Sequence, residues 1–195
     1  MSFLKDLSFL PDPPEEFIQQ AITIATPDYG DQGNVLTNSW DDPNGSKTHA
    51  PRFLRFKLSD EFEQWVHDVI GPLAGEKISD AGVMHCNFNP NQPIGVHTDK
   101  TRDYVLMYVI EQGGDNATFS YWQEKGKPII RDREVKFKTT ENLVKISEVR
   151  TPTRKWYGCP VRILHSVEHL ESRRVNLQIS YNLLDDVKLL SKNSG

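Results

Sequence analysis

The sequence predicts a mainly β protein with packing helices, and two observations carry this prediction. Two segments with helical signals lie within the first 75 residues. After Gly75 the chain changes to short runs rich in Val, Ile, Tyr and Phe, separated by Gly, Pro, Asn and Asp, a pattern typical of a β-sandwich or barrel. The predicted strands are 82–88, 103–111, 117–123, 128–138, 143–149, 161–167 and 173–183. We therefore expect two supporting helices followed by a β core.

The two predicted helices have recognisable starts. Asp12 precedes two prolines and two glutamates, and acidic residues in a first turn favour a helix, which we expect to run to about Ala25. Ser59 is a good N-cap for the second helix. Apolar residues recur there at helical spacing: Phe62, Trp65, Val66, Val69 and Ile70. The pair Gly71-Pro72 is predicted to end this helix.

Length and composition indicate one domain over residues 1–195, with N-terminal helical support in 1–75 and a β-barrel core in 76–185. The 37% hydrophobic and 26% charged residues are typical of a soluble globular protein. A formal net charge of −4 argues against a nucleic-acid partner. No apolar run approaches the roughly 18 residues of a membrane span. Cys86 and Cys159 are too few for a disulfide framework, so we expect a reducing, cytoplasmic location.

Residues 27–52 are rich in Gly, Pro, Asn and Asp and contain only scattered apolar residues. We expect a long loop, and loops of this length in a compact domain are often lids or binding segments. Trp40 within it would line a lid over a substrate or plug the barrel.

The segment GVHTDKT contains a candidate pair of metal ligands. His97 and Asp99 are two residues apart, so on an extended chain both side chains point to the same side and can bind one ion. Imidazole suits iron, zinc or copper, and a carboxylate adds a hard, negatively charged oxygen. His165 follows an apolar run and lies on or beside a strand, which makes it a candidate third ligand. The alternatives are a solvated turn for the pair and a hydrogen-bonded core position for His165.

Arg174 opens the run RVNLQISYN, nine residues after His165. An arginine that points inward from a β-strand is costly unless it meets an anion, and a carboxylate can satisfy it with two parallel hydrogen bonds. Only one of Arg173 and Arg174 can face inward, and we expect it to be Arg174. The alternative is an edge strand with Arg174 in water.

The ordered set His97-x-Asp99, His165 and Arg174 resembles the iron- and 2-oxoglutarate-dependent dioxygenase superfamily, and most its prolyl-hydroxylase-like branch. That branch is similar in having HxD after a short strand, then a strand that ends in a Gly-Gly turn and a phenylalanine. The corresponding segment here is DYVLMYVIEQGGDNATF. The distal histidine also stands in an H-x-V context, and the resemblance covers roughly residues 82–182.

The resemblance implies a double-stranded β-helix, a jelly-roll or cupin-like barrel, with Fe(II) held inside one end by His97, Asp99 and His165. It implies 2-oxoglutarate as the second cofactor, bound through its distal carboxylate by Arg174, with ascorbate as a further candidate. The implied activity is hydroxylation of a peptide side chain or small molecule, with succinate and CO2 as products. An acid at position 99, rather than alanine or glycine, implies hydroxylation rather than halogenation.

Two further residues enter through the resemblance. A tyrosine on the strand after HxD often assists in binding 2-oxoglutarate; Tyr108 is the first candidate and Tyr104, on the same face, the second. Core aromatic packing is the alternative for both. The sequence departs from the branch where a tyrosine often precedes HxD, because Asn87 and Phe88 occupy that region.

Three alternatives remain at this point. His169 could replace His165 as a ligand, although it lies in a charged loop and His165 is preferred. The stretch RVNLQIS resembles the RxNxTxR motif of alkylated-base demethylases, but Ser180 replaces the second arginine, which argues against that function. A cupin-like barrel that binds a metal or ligand without turnover is the third alternative.

Overall fold

The computed structural model describes residues 3–25, 53–86, 94–132, 134–137 and 139–188. The predicted loop at 27–52, with Trp40, lies outside the described residues, as do Asn87 and Phe88. Within the described part no helix is long and apolar enough to cross a membrane.

Helices are few, and all but a final 3-10 turn lie in the N-terminal part of the described chain. They are α1 (Glu15–Ile24), α2 (Asp60–Trp65), a π-helical turn (Val66–Ile70), α3 (Gly71–Ala74) and a final 3-10 turn (Leu184–Asp186). The Ser59 hydroxyl caps α2 by accepting a hydrogen bond from the Phe62 N–H at 3.1 Å, which confirms the predicted start.

The described part of the chain contains ten strands. They are β1 (Lys5–Asp6), β2 (Phe53–Phe56), β3 (Asp80–Cys86), β4 (Ile94–His97), β5 (Tyr104–Gln112), β6 (Thr118–Glu124), β7 (Leu143–Arg150), β8 (Trp156–Pro160), β9 (Leu164–Glu168) and β10 (Arg174–Tyr181). They form a six-stranded sheet of order β1-β8-β5-β10-β3-β2 and a four-stranded sheet of order β4-β9-β6-β7. Every pairing is antiparallel. The predicted mainly β fold with packing helices is confirmed at the level of two antiparallel sheets, consistent with a β-sandwich.

The six-stranded sheet is buried on both faces, and the two faces have different neighbours. Side chains of one face, such as Leu106 and Leu177, pack with the helices in one hydrophobic cluster. Side chains of the other face, such as Met107, pack with residues of the four-stranded sheet, including Phe119 and Tyr121. Because successive residues of a strand point to opposite sides, each residue of β5 belongs to one of these two layers. We refer to the layer between the two sheets as the interior.

Strand β10 divides its residues between these layers by polarity. Its residues on the helix side are apolar or aromatic: Val175, Leu177, Ile179 and Tyr181. The alternate residues are polar yet buried: Arg174, Asn176, Gln178 and Ser180. Burial of polar groups costs free energy unless they form hydrogen bonds. This face of β10 is therefore suited to line a site that binds polar groups.

Two strand predictions are corrected by the structure. The run 128–138 forms no strand among its described residues; Ile130 and Lys136 make only isolated bridges, to Ile163 and His97. In the run 161–167 the chain turns first, and β9 begins at Leu164. The described residues of 128–138 are exposed or half-buried, whereas Val161, Ile163 and Leu164 of the second run are buried.

The pair Gly71-Pro72 does not end the second helix, contrary to the prediction. The chain continues through the π-helical turn into α3, with Pro72 in its first turn. Proline is tolerated there because the N–H groups of a first turn need no helical partner. The helix ends instead at Gly75, whose φ of 142° favours glycine.

Gly158 on β8 makes room for a large neighbour. A Cβ atom at this position would lie 2.2 Å from the Tyr104 hydroxyl oxygen and 3.0 Å from its Cζ. The Tyr104 ring therefore lies against the bare backbone of β8, on the side of the sheet that also carries Leu7. The close packing of these two strands against the N-terminal segment depends on this glycine.

We expect Gly158→Ala to lower the free energy of unfolding by about 1–3 kcal/mol, because the added methyl group overpacks the site. Tyr104→Phe removes the nearest atom, so the double variant should lose less stability than the sum of the two single variants. Urea unfolding of the four proteins measures this coupling. Strictly additive losses would contradict the contact.

Candidate metal centre

Strands β4 and β9 bring two distant histidines together. His97 is the last residue of β4 and pairs across the strands with His165 on β9. Their ring centroids lie 4.3 Å apart. Asp99 follows two residues after β4, where its backbone N–H donates to the Val161 carbonyl oxygen at 3.0 Å. The antiparallel pairing thus gathers three potential ligands that are 68 positions apart at most in the chain (165 − 97 = 68).

The backbone sets which nitrogen of each histidine faces the site. Nδ1 of His97 lies 2.9 Å from the Gly95 carbonyl oxygen, and Nδ1 of His165 lies 2.9 Å from that of Ile163. A carbonyl oxygen only accepts hydrogen bonds, so each Nδ1 carries the proton. Each Nε2 then carries the lone pair, and this is the form of imidazole that binds a metal ion.

The three free donor atoms converge. Nε2 of His97 lies 3.6 Å and Nε2 of His165 lies 3.9 Å from Oδ1 of Asp99. One donor atom from each of the three residues lies within 4.8 Å of the other two. Donors that each sit about 2.1 Å from one ion are separated by about 3–4 Å. The group therefore has the size and the donor chemistry to hold a metal ion.

Burial keeps both histidines in the metal-binding form. It lowers the pKa of His97, and it lowers the pKa of His165 to about 4, with the neighbouring His97 as the second cause. For Asp99 burial acts to raise the pKa, but the Arg102 guanidinium and the two histidines outweigh it and hold the pKa below its usual value. At neutral pH the site thus presents two neutral imidazoles and one carboxylate.

Aromatic neighbours hold the His165 ring in place. The Phe119 ring stacks nearly parallel to it, with centroids 5.6 Å apart and planes 5° from parallel. Tyr121, which pairs with His165 across β6 and β9, lies 6.4 Å away. Packing of this kind restricts the rotation of a ligand ring and preorganises the site.

Arg102 donates hydrogen bonds to the second oxygen of Asp99. This role of Arg102 was not predicted from the sequence. Its Nε and Nη2 lie 2.7 and 2.5 Å from Asp99 Oδ2. Its Nη1 donates to Oε1 of Gln178 at 2.9 Å and to the Ser180 hydroxyl at 3.3 Å. The available signal was an arginine three residues after the candidate ligand, but charge next to charge in a loop usually indicates a solvated pair.

Arg174 points inward and is buried, with 3% of its surface exposed. Its guanidinium donates to the Gln112 carbonyl oxygen at 2.7 Å and the Thr151 hydroxyl at 3.1 Å, and it lies 3.7 Å from Met107 Sδ. All three of these partners are uncharged. Arg173 faces the other way and pairs with Glu111, through Nε at 2.8 Å from Oε2. The expected orientation of the two arginines is the one the structure has.

The buried thiol of Cys159 is within electrostatic reach of Arg174, Arg102 and Asp99. The positive charges of Arg174 and Arg102 and the negative charge of Asp99 all act on its thiol. Burial dominates and raises the thiol pKa to about 12, so Cys159 is an uncharged wall residue at neutral pH. Arg174 and the three candidate ligands therefore share one interior.

Tyr108 and Tyr104 do not lie in this interior, which corrects their predicted role as cofactor-binding residues. Both belong to the helix-side layer of β5. The Tyr108 ring packs on Trp156 with centroids 5.2 Å apart, and burial, followed by the charge of Asp12, raises its hydroxyl pKa to about 12. The residues of β5 in the interior are Val105, Met107 and Val109. The alternative interpretation, core aromatic packing, applies to both tyrosines.

Two interior residues that the sequence did not single out carry unpaired polar atoms. Among the described residues no group hydrogen-bonds to the Tyr121 hydroxyl or to Oδ1 of Asn176. The Asn176 amide nitrogen donates to the Met84 carbonyl oxygen at 3.2 Å, which orients the amide. Buried polar atoms nearly always have partners, and a water molecule or a ligand at these two atoms would supply them.

His169 is not part of the group. It is exposed, lies past the end of β9, and has a φ of 56° in the turn that follows. His67 is exposed on its helical segment, as its position on the polar side indicated. The side chain of His85 lies outside the described residues.

Comparisons with known proteins leave the site to be interpreted on its own chemistry. No protein-family model matches the chain, and no curated protein matches it.

Loss of one ligand should abolish tight metal binding. We expect three variants each to weaken Co(II) affinity: His97→Ala, Asp99→Ala and His165→Ala. Loss of a residue that only hydrogen-bonds to a ligand typically weakens metal affinity about 10–100-fold, and loss of a ligand itself should weaken it further. His169→Ala is the matched control and should bind as wild type does. Calorimetric titration of the metal-free proteins measures these affinities. Loss of binding in His169→Ala with retention in His165→Ala would move the third ligand to the loop.

The metal-free protein should lose stability as the pH falls. An unfolded histidine gains its proton near pH 6.5, whereas His165 in the folded protein gains it only near pH 4. Between these values the unfolded state binds more protons, so the free energy of unfolding decreases with decreasing pH. We expect His165 to account for a loss of about 2 kcal/mol between pH 7 and pH 5. Urea unfolding at both pH values measures this loss of free energy of unfolding. The loss should be smaller in His165→Gln than in wild type, and it should equal the wild-type loss in the control His67→Gln, where the substituted residue is exposed.

Proposed function

We propose that this protein is a non-haem Fe(II)- and 2-oxoglutarate-dependent dioxygenase that hydroxylates a peptide side chain or a small molecule. The observation that carries the proposal is the convergence of His97, Asp99 and His165 in an interior that also contains the buried Arg174. One group of side chains can hold a metal ion, and the other can bind the distal carboxylate of a ligand attached to that ion.

The donor set fits Fe(II). Two imidazoles and one carboxylate on one side of a metal, with open positions opposite, are typical of non-haem iron oxygenases. Bound there, Fe(II) would supply O2 activation, and decarboxylation of 2-oxoglutarate to succinate and CO2 would supply two of the electrons. The protein's own contribution is to fix the three donors, keep both imidazoles neutral and exclude bulk water from the ligand atoms.

Arg174 supports a dicarboxylate as the second ligand. Its planar guanidinium matches a carboxylate in geometry and charge, and contacts to Gln112, Thr151 and Met107 hold it in the interior. The Thr151 hydroxyl can rotate to donate to the same carboxylate. A ligand that spans from the metal to Arg174 would cross the interior beside Cys159.

The unpaired interior atoms support a ligand rather than a closed hydrophobic core. The Tyr121 hydroxyl can donate to an oxygen of a bound anion, a role that Tyr108 cannot have from the other face of the sheet. Oδ1 of Asn176 accepts only, so it would take a water molecule or a donor group of the substrate.

The strand order supports a double-stranded β-helix as the specific form of the sandwich. From β3 to β10 the strands alternate between the sheets, except that β6 and β7 are neighbours in the four-stranded one. β3, β5, β8 and β10 belong to the six-stranded sheet, and the other four strands make up the four-stranded sheet. Two sheets of four strands with this connectivity form a jelly roll. In this arrangement β1 and β2 extend one sheet at its two edges.

The decisive experiment reconstitutes the protein anaerobically with Fe(II) and adds 2-oxoglutarate. Chelation of the iron by the 2-oxoacid should produce a charge-transfer band in the visible spectrum. Admission of O2 should then produce succinate, first slowly and faster in the presence of a true substrate from a peptide and metabolite library. Binding of both without succinate would favour the non-catalytic cupin-like barrel, and binding of neither would refute the proposal.

Removal of the carboxylate anchor should affect 2-oxoglutarate and not iron. We expect Arg174→Gln to weaken 2-oxoglutarate binding tens- to thousands-fold, because loss of a buried charge partner costs about 2–5 kcal/mol. Fe(II) affinity should stay near the wild-type value. Arg173→Gln is the matched control, since the neighbouring arginine faces Glu111 outside the interior. Unchanged 2-oxoglutarate affinity in Arg174→Gln would place the anchor elsewhere.

A further inference from the structure

We infer that Arg102 is a positioning residue that restricts Asp99 to binding the metal through one oxygen and so keeps a third coordination position open beside a chelating ligand. The inference rests on the metal centre of the proposed function but not on turnover. It follows from how the guanidinium distributes its hydrogen bonds.

The guanidinium occupies one carboxylate oxygen and leaves the other free. Nε and Nη2 of Arg102 both converge on Oδ2 of Asp99, while Oδ1 is the atom nearest to the two histidine Nε2 atoms. A carboxylate with both oxygens free can bind a metal through either one or both. With the two lone pairs of Oδ2 engaged, only Oδ1 remains available to the metal.

Arg102 is itself held from the opposite sheet. Its Nη1 donates to Gln178 and Ser180, two residues of the buried polar stripe of β10. The side chain is only 14% exposed, and the carboxylate of Asp99 only 10%. The backbone on the ligand side is also tied down, because Thr98 N–H donates to the Val135 carbonyl oxygen and Asp99 N–H to that of Val161. The remaining freedom of Asp99 is rotation of its carboxylate, and Arg102 removes it.

One-oxygen binding has a chemical consequence for the next ligand. Two imidazoles and one oxygen leave three positions of an octahedral ion open, enough for a chelating 2-oxoacid and one further molecule. Two-oxygen binding by Asp99 would leave two positions, which the 2-oxoacid would fill, with none left for a further molecule. Arg102 therefore affects the metal affinity through the geometry of Asp99, and it affects the number of positions that stay open beside a bound 2-oxoacid.

The test compares Arg102→Gln with wild type and with Arg131→Gln. Arg131 is the matched control because its side chain is 13% exposed and pairs with the carboxylate of Glu124, not with a metal ligand. Co(II) is the probe, since its visible spectrum reports coordination number. The first measurement is Co(II) affinity and spectrum, and the second is the affinity of the Co(II)-loaded protein for 2-oxoglutarate.

We expect Arg102→Gln to weaken Co(II) binding by about 10–100-fold, as loss of an outer partner of a ligand typically does. Its Co(II) spectrum should differ from wild type both before and after 2-oxoglutarate is added, and the loaded protein should still bind 2-oxoglutarate, since two positions remain for it. Arg131→Gln should match wild type in all three measurements even if it is less stable. An Arg102→Gln protein with wild-type affinity and spectrum would overturn the inference.

Arg102→Lys carries the test if the glutamine variant does not fold. Lysine retains the charge but donates from one nitrogen and cannot grip Oδ2 while it reaches Gln178 and Ser180. We expect a changed Co(II) spectrum with a smaller loss of affinity, and an unchanged spectrum would overturn the inference. Wild-type protein that binds Co(II) but not 2-oxoglutarate would refute the proposed function. The role of Arg102 would then be decided by Co(II) affinity and spectrum alone. Wild-type protein that binds no metal would refute both.

Discussion

The antiparallel pairing of β4 with β9 is the constraint on which the candidate site depends. It places His97 directly opposite His165, with ring centroids 4.3 Å apart, although the two residues are far apart in the chain. Both rings then donate from Nδ1 to a carbonyl oxygen two residues earlier, so the geometry of the strands also selects the nitrogen that faces the site. A shift of one residue in this register would turn one of the histidines to the opposite face.

The interior contains more polar groups than a hydrophobic core tolerates, and the arrangement of charges explains how they are accommodated. The negative charge of Asp99 is compensated by Arg102, which in turn uses Gln178 and Ser180. Arg174 satisfies its donors with a carbonyl oxygen and a hydroxyl at the other end of the same stripe. Polar groups of β10 and its neighbours thus hold both guanidinium groups in place.

One face of the six-stranded sheet packs against the helices, and the other faces the candidate site. On the helix side, Tyr104, Tyr108 and Trp156 form aromatic packing with the N-terminal segment, and Gly158 provides the space. On the interior side, Val105, Met107 and Cys159 pack in a second hydrophobic cluster beside the polar stripe of β10. The helices thus support one face of the sheet. His97 and His165 lie on strands, which hold side chains more rigidly than loops do, whereas Asp99 and Arg102 lie in the loop after β4.

The sequence by itself determined the elements whose signal is local. The N-cap of α2, the polar and apolar alternation of β10 and the inward Arg174 were all readable, because each depends on neighbours within a few residues. The spacing of His97 and Asp99 was likewise sufficient to predict that they share a side. Only the tertiary structure decided what depends on distant partners. The strand β5 is buried on both faces, so its pattern contained no polarity signal to show which face Tyr104 and Tyr108 take. Arg102 is part of the site because Gln178 and Ser180 of β10 accept its hydrogen bonds. The spacing of residues along the chain does not predict this contact.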